Sequence, residues 1–156
     1  MIGALIAQRR ATRSLEALNR HDLTRYLQGW ADDGVFVYPG TIPGISGSHV
    51  GKAAVRAFFQ RLFEQFPMLQ FTIRHVMVEK ILGLGMNNVL AIHWDVVTEN
   101  RQGRKGKTHG VSIVSLRRGK VIRVEDYLFD PGEQLAAAWG AGAAQPATLA
   151  REVAVP

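Results

Sequence analysis

Residues 107–129 read KTHGVSIVSLRRGKVIRVEDYLF. Apolar, largely β-branched residues recur at alternate positions on either side of Arg118-Gly119, the pattern of two half-buried strands joined by a tight turn. Working upstream, residues 69–81 and 88–98 read as two more strands, with turns at Gln102-Gly103 and Gly83-Leu84-Gly85. The first half of the chain has a different period. Residues 4–19 set Leu5, Ile6, Leu15 and Leu18 on a helical pattern, and Asp22 is a suitable N-cap for a second short helix over Leu23, Tyr26, Leu27 and Trp30. Ala31-Asp32-Asp33-Gly34 reads as a turn, Val35–Tyr38 as a strand ended by Pro39, and GTIPGISGSHVG (40–51) as a loop. A third helix follows, with Val55, Phe58, Phe59, Leu62, Phe63 and Phe66 in one stripe, stopped by Pro67. Helices followed by a strand meander predict an α+β fold: three N-terminal helices on one face of a curved antiparallel sheet, enclosing an apolar pocket.

The 156 residues suit one domain. It is expected over 1–135, followed by a small-residue-rich tail at 136–156, AAAWGAGAAQPATLAREVAVP. With no cysteine there is no disulfide framework and no thiolate metal site. That fits a reducing cytoplasm, where the protein is expected. No apolar run reaches the ~20 residues that cross a bilayer. The opening MIGALIAQRR reverses the charge order of a signal peptide and reads as the start of a helix. The net charge of +6 is dispersed, its densest group being NRQGRKGK (100–107) at a hairpin tip. This reads as solvated surface, with an anionic ligand or a carrier protein as the functional alternative; neither nucleic acid nor membrane is expected as a partner.

Strand alternation sorts the side chains that could do chemistry. His93 and Asp95 share one face with Ala91 and Val97, while Leu90, Ile92, Trp94 and Val96 share the other. In the last strand Asp126 lies among Ile122, Val124 and Leu128. Desolvation there would raise its pKa and suit it to proton transfer near neutrality. Two carboxyls and an imidazole facing one cavity could divide acid and base roles, although a lone inward Asp is more often a hydrogen-bonded structural residue. His75 shares a face with Phe71, Ile73 and Met77 and reads as a pocket wall; His109 fits pocket or surface. No His/Asp/Glu set has metal-ligand spacing, so no metal is predicted. The glycines of PGTIPGISG match neither a dinucleotide nor a phosphate loop, and no cofactor is expected.

Three stretches, ALNRHDLTRYLQGWADDGVFVYPG (17–40), HVGKAAVRAFFQRLF (49–63) and GVSIVSLRRGKVIRVEDYLFD (110–130), give the chain a resemblance to the nuclear transport factor 2-like (cystatin-like) superfamily. It looks close to the SnoaL-like and limonene-epoxide-hydrolase branches, over roughly residues 10–132. Ketosteroid isomerases of that superfamily place their base at the position of Tyr38 and their oxyanion donors near Ser14 and Ile113, so the resemblance does not extend to their activity. Limonene-type epoxide hydrolases pair carboxyls at the positions of Asp95 and Asp126, with a pocket Tyr at Tyr38. By that resemblance Asp126 would activate a water, Asp95 would protonate the opening epoxide, and His93 would stand in for a bridging arginine. The hydrolases' water-holding Asn falls at about Gly40, which departs from their pattern. SnoaL-like cyclases use an Asp near the final strand to take a proton from an activated carbon, which Asp126 with His93 also suits.

Two functions follow. One is a cofactor-free acid–base enzyme acting on a hydrophobic small molecule, by epoxide opening or by cyclisation or isomerisation of a polyketide- or terpenoid-like substrate. Its catalytic residues would be Asp126, Asp95 and His93, and its substrate-binding residues Tyr38, His75, His109 and Trp30. The other is a non-catalytic ligand-binding or protein-interaction module, recognisable if both carboxylates are occupied by structural partners. In either case the row Leu90, Ile92, Trp94 and Val96 is expected to face outward as a homodimer interface.

Overall fold

The computed structural model describes residues 2–80, 87–129 and 132–140. In chain order the elements are α1 (Ile2–Asn19), α2 (Leu23–Gln28), β1 (Trp30–Tyr38), β2 (Gly47–Val50), α3 (Lys52–Gln65), β3 (Met68–Val78), β4 (Asn87–Glu99), β5 (Lys105–Arg117), β6 (Lys120–Leu128) and α4 (Gly132–Ala138). Ala7, Ala11 and Leu18, spaced by four and seven, form the buried face of α1. Asn19 ends that helix and ties it to the sheet. Its side chain accepts from the Phe71 amide (2.7 Å) and donates to the Phe71 carbonyl (3.0 Å), as a neighbouring strand would. Asp22 caps α2 through the Arg25 amide, as its sequence position predicts. The stripe Val55, Phe58, Phe59 and Leu62 is buried on α3.

The strands form one curved, open sheet in the order β2-β1-β6-β5-β4-β3. All neighbours are antiparallel except β1 and β6, which run parallel. The expected all-antiparallel sheet is corrected there. After β1 the chain crosses through β2 and α3 to the far edge, and the four-strand meander brings β6 back alongside β1 in the same sense. The expected loop 40–51 contains β2, which pairs with β1 from Val35↔Val50 to Tyr38↔Gly47; four residues, the first of them a glycine and followed by another, leave too little alternation to read. The expected turn at Ala31–Gly34 is part of β1, at a shift of register between Trp30 and Val35. Gly34 is required in it, because a Cβ would stand 2.9 Å from the Trp30 ring and 3.2 Å from the Val121 carbonyl.

The predicted alternation in β4 is present, with its two faces reversed. Leu90, Ile92, Trp94 and Val96 are buried in the core against the helices and cannot form the outward interface expected of them. His93 and Asp95 lie on the opposite face. Alternation assigns residues to faces but not faces to sides, and here the apolar row supplies the contact surface the helices need.

A second correction concerns β3. A bulge between Ile73 and His75 makes Arg74 an extra residue, so His75 stands opposite His93, while Ile73 stands opposite Trp94. His75 and Met77 are thereby moved to the outer face, away from Phe71 and Ile73. The expected turn at Gly83-Leu84-Gly85 and the tail beyond Gly140 lie outside the described residues; α4 runs across residue 135, where the domain was expected to end. Among the described residues no helix is long and apolar enough to cross a membrane.

Candidate active site

Between α1–α3 and the concave face of the sheet lies a cavity of about 180 Å³. Its walls are largely aromatic, with Tyr26, Phe36, Tyr38, Phe58, Phe59 and Trp94 among them. These rings cross-pack at centroid distances of 4.8–5.0 Å around Phe36, Phe58, Phe59 and Tyr38, separations at which tilted rings attract. The C-terminal helix contributes Leu135 and Ala138 to the lining. It is held there because the Ala138 carbonyl accepts from Gln65 (2.9 Å) and Asn100 (3.1 Å). The next residue, Trp139, donates its indole N–H to the Tyr38 hydroxyl at 3.1 Å.

Asp126 is the one carboxylate among the described lining residues. It reaches the cavity through a second bulge. Leu116 pairs with Val121 but Ser115 pairs with Arg123, leaving Ile122 unpaired. Strict alternation from the inward Val121 would have turned Asp126 outward; the extra residue turns it in, between Val124 and Leu128. Its register partner Ser112 donates a hydroxyl hydrogen bond to Asp126 Oδ1 at 2.6 Å. Ser112 in turn accepts the Trp94 indole N–H at 2.8 Å. The indole has room because Gly110 stands opposite it: a Cβ there would lie 2.5 Å from the Tyr127 carbonyl and 2.9 Å from the Trp94 ring.

Desolvation by the surrounding protein pushes the Asp126 carboxyl up to about 7, against the smaller downward pull of the Ser112 hydrogen bond. Burial also pushes the Tyr26 and Tyr38 hydroxyls well above their ordinary range, and the negative charge of Asp126 adds to both. Both phenols therefore keep their protons at any physiological pH. The Thr108 hydroxyl, on a residue that also lines this cavity, is buried without a hydrogen-bond partner among the described residues.

The remaining predicted residues divide plainly. Tyr38 lines the Asp126 cavity. Trp30 is buried beside Tyr26 and faces a second, neighbouring cavity instead. Asp95 lies on the outer face, where Arg74 donates to its Oδ2 through Nε at 2.9 Å and through Nη2 as well. That hydrogen bonding holds the Asp95 carboxyl below its ordinary range. His93 faces His75 across the strand pair, with their Nδ1 atoms 3.3 Å apart. His109 is exposed on the same outer side and packs on Phe129. The cluster expected from Asp126, Asp95 and His93 is thus not brought together, and the sheet itself separates Asp126 from the other two. Sequence reasoning missed Ser112, Trp94 and Trp139. Ser112 carried a signal, as a small polar residue alternating with Val114 on an apolar face.

A one-sheet fold with helices closing its concave face, and one raised carboxyl inside, defines a small α+β pocket protein. The profile described as SnoaL-like domain matches residues 11–124. The chain belongs to that family, within the nuclear transport factor 2-like superfamily. Among solved structures it is similar to a nuclear transport factor 2-like protein of unknown function from Burkholderia pseudomallei, with TM-score 0.73 and 16% identity over 85% of this chain and 95% of that one. TerC, co-crystallised with polyporic acid, gives TM-score 0.72 and 17% identity over 86% and 98%. A protein from Xanthomonas campestris provisionally called a polyketide cyclase gives TM-score 0.61 and 19% identity over 88% and 98%. No curated protein matches the sequence.

Proposed function

We propose that the protein is a cofactor-free acid–base enzyme of the polyketide-cyclase type, in which Asp126 takes a proton from an activated carbon of a hydrophobic, ring-bearing substrate. The observation that carries this reading is a carboxyl lifted to about 7 on the wall of an aromatic cavity. Such a group is ionised in sufficient fraction to accept a proton at neutral pH and basic enough to hold it. The proton leaves a carbon next to a carbonyl, the bonding electrons move onto the carbonyl oxygen, and protonated Asp126 returns the proton after ring closure or isomerisation. Tyr38 accepts from Trp139, which leaves its own O–H to donate to the developing oxyanion.

Epoxide opening is the weaker variant. The limonene-type resemblance assigns it a second carboxyl in the same cavity, and Asp95 is across the sheet in an ion pair with Arg74. Co-crystallisation of TerC with polyporic acid supports a small-molecule occupant for a cavity of this fold. A homodimer through the outer sheet face belongs to the same reading, now through Met77, Val111, Ile113 and Tyr127 in place of the row that proved to be core.

Two experiments test the assignment. Carbon-detected titration of the aspartate side chains is expected to give Asp126 a midpoint near 7 and Asp95 one below the ordinary ~3.9; an ordinary Asp126 midpoint removes its special role. Deuterium exchange into aromatic 1,3-dicarbonyl probes is expected to be accelerated by the wild type and lowered about 10²–10⁴-fold by Asp126→Asn. Equal exchange by the two proteins would leave the binding-module alternative.

A further inference from the structure

The second cavity is larger, about 640 Å³, and lies at the other end of the concave face, between α1 and strands β4–β6. Its floor is apolar, with Leu90, Ile92, Val114, Leu116 and Val121 along it. Leu90 to Trp94 covers about 13 Å of strand. Five cations line the same cavity: Arg10, Arg13, Arg25, Arg118 and Lys120. No Asp or Glu is among the described lining residues, and none of the five cations is in an ion pair among the described residues. Two are drawn to the rim by backbone carbonyls: Arg10 donates to Gly119 (3.4 Å) and Lys120 to Gln28 (3.0 Å).

We propose that this cavity binds a single-chain amphipathic anion, its apolar chain along the β4–β5 floor and its carboxylate, sulfate or phosphate head among the arginines at the rim. Five like charges around one mouth, with no carboxylate among the described lining residues, focus a positive potential there, and guanidinium forks suit planar and tetrahedral oxyanions. The volume is that of a small-molecule site. Nothing in the Asp126 reading requires this cavity. The two cavities nevertheless share Leu15, Tyr26, Trp94, Ser112 and Val124 as walls, so a chain bound in the second touches the indole and hydroxyl that hold Asp126.

The test is calorimetric titration of the full chain with dodecanoate and with dodecyltrimethylammonium, both below micelle formation. Dodecanoate is expected to bind with a stoichiometry of one and the cation at least about tenfold more weakly. Arg13→Glu with Arg118→Glu, both exposed and outside the core, is expected to weaken dodecanoate about tenfold or more. Lys107→Glu, which alters the one lysine lining the Asp126 cavity, is expected to leave it unchanged. No dodecanoate binding, equal binding of the two amphiphiles, indifference to the double charge reversal, or loss only in Lys107→Glu would each overturn the proposal. Co-sedimentation with phosphatidylglycerol vesicles separates a soluble anion from a lipid surface; vesicle binding without saturable dodecanoate binding counts against the cavity.

Discussion

At the scale of single residues, the raised carboxyl of Asp126 makes stability depend on pH with a definite sign. Its carboxyl binds a proton in the folded protein up to about pH 7, whereas in the unfolded chain it loses it near 3.9. The native state therefore holds more protons between those values, and stability falls as pH rises through that window. The contribution is fully present below about pH 4 and gone above about 7. A displacement of about three pH units corresponds to at most about 4 kcal/mol, less to the extent that pocket water screens the charge. Asp126→Asn keeps the shape and removes the charge. Urea titrations are expected to find the variant more stable than wild type at pH 8 and nearly equal to it at pH 4; parallel pH profiles would refute the shift. Ser112→Ala acts in the opposite chemical direction from a counter-charge. It removes the donor that favours the ionised form and leaves the Trp94 indole without its acceptor. The Asp126 midpoint is expected to move further alkaline, together with the pH dependence of any exchange activity, at about 1 kcal/mol of stability.

The element scale is where the bulges and glycines act, and where sequence reading divides. Gly110 lets β5 pass the Trp94 ring, and the obstruction to a larger residue includes backbone, the Tyr127 carbonyl at 2.5 Å, which cannot swing aside. Gly110→Ala is expected to cost about 2–3 kcal/mol in denaturant titration. Gly106→Ala, whose Cβ would meet only the Thr98 hydroxyl at 3.1 Å, should cost less than about 1 kcal/mol. Equal losses would show that Trp94 is not tightly seated. The four meander strands and the α3 stripe were legible because each has a sustained period of its own. Asp126 was legible because its local neighbours Val124 and Leu128 mark its face whatever happens earlier in β6. The Ser112–Asp126 pair was not legible: counting back from the two-residue turn puts Glu125 opposite Ser112, and only the unpaired Ile122 corrects it. His75 was misplaced for the same reason, by Arg74. A bulge adds one residue without a reliable signature in composition, yet reverses the face of everything beyond it on that strand.

At the scale of the whole molecule, the two faces of the sheet differ in what they carry. The concave face carries both cavities. The outer face carries a mixed surface in which His93 is in register with Val111 and Val111 with Tyr127, while Ala91 is in register with Met77 and Ile113, and Ile113 with Glu125. Met77 and Tyr127 are 54% and 52% exposed there. Two of the charges on this face are already neutralised locally, Asp95 by Arg74 and Glu125 by Arg123, so covering it would not strand either carboxylate without a partner. A second copy across a two-fold axis would place the same patch against itself and could bury the ~1,200–2,000 Å² that a stable pair requires. Sedimentation equilibrium at micromolar concentration is expected to give about twice the 17.2 kDa of the chain. Met77→Lys with Tyr127→Lys is expected to return it to the monomer mass without loss of fold, because both side chains are half exposed and outside the core. A wild-type monomer, or a double variant that stays paired, would remove this face as the interface and leave the apolar residues on it for another partner to cover.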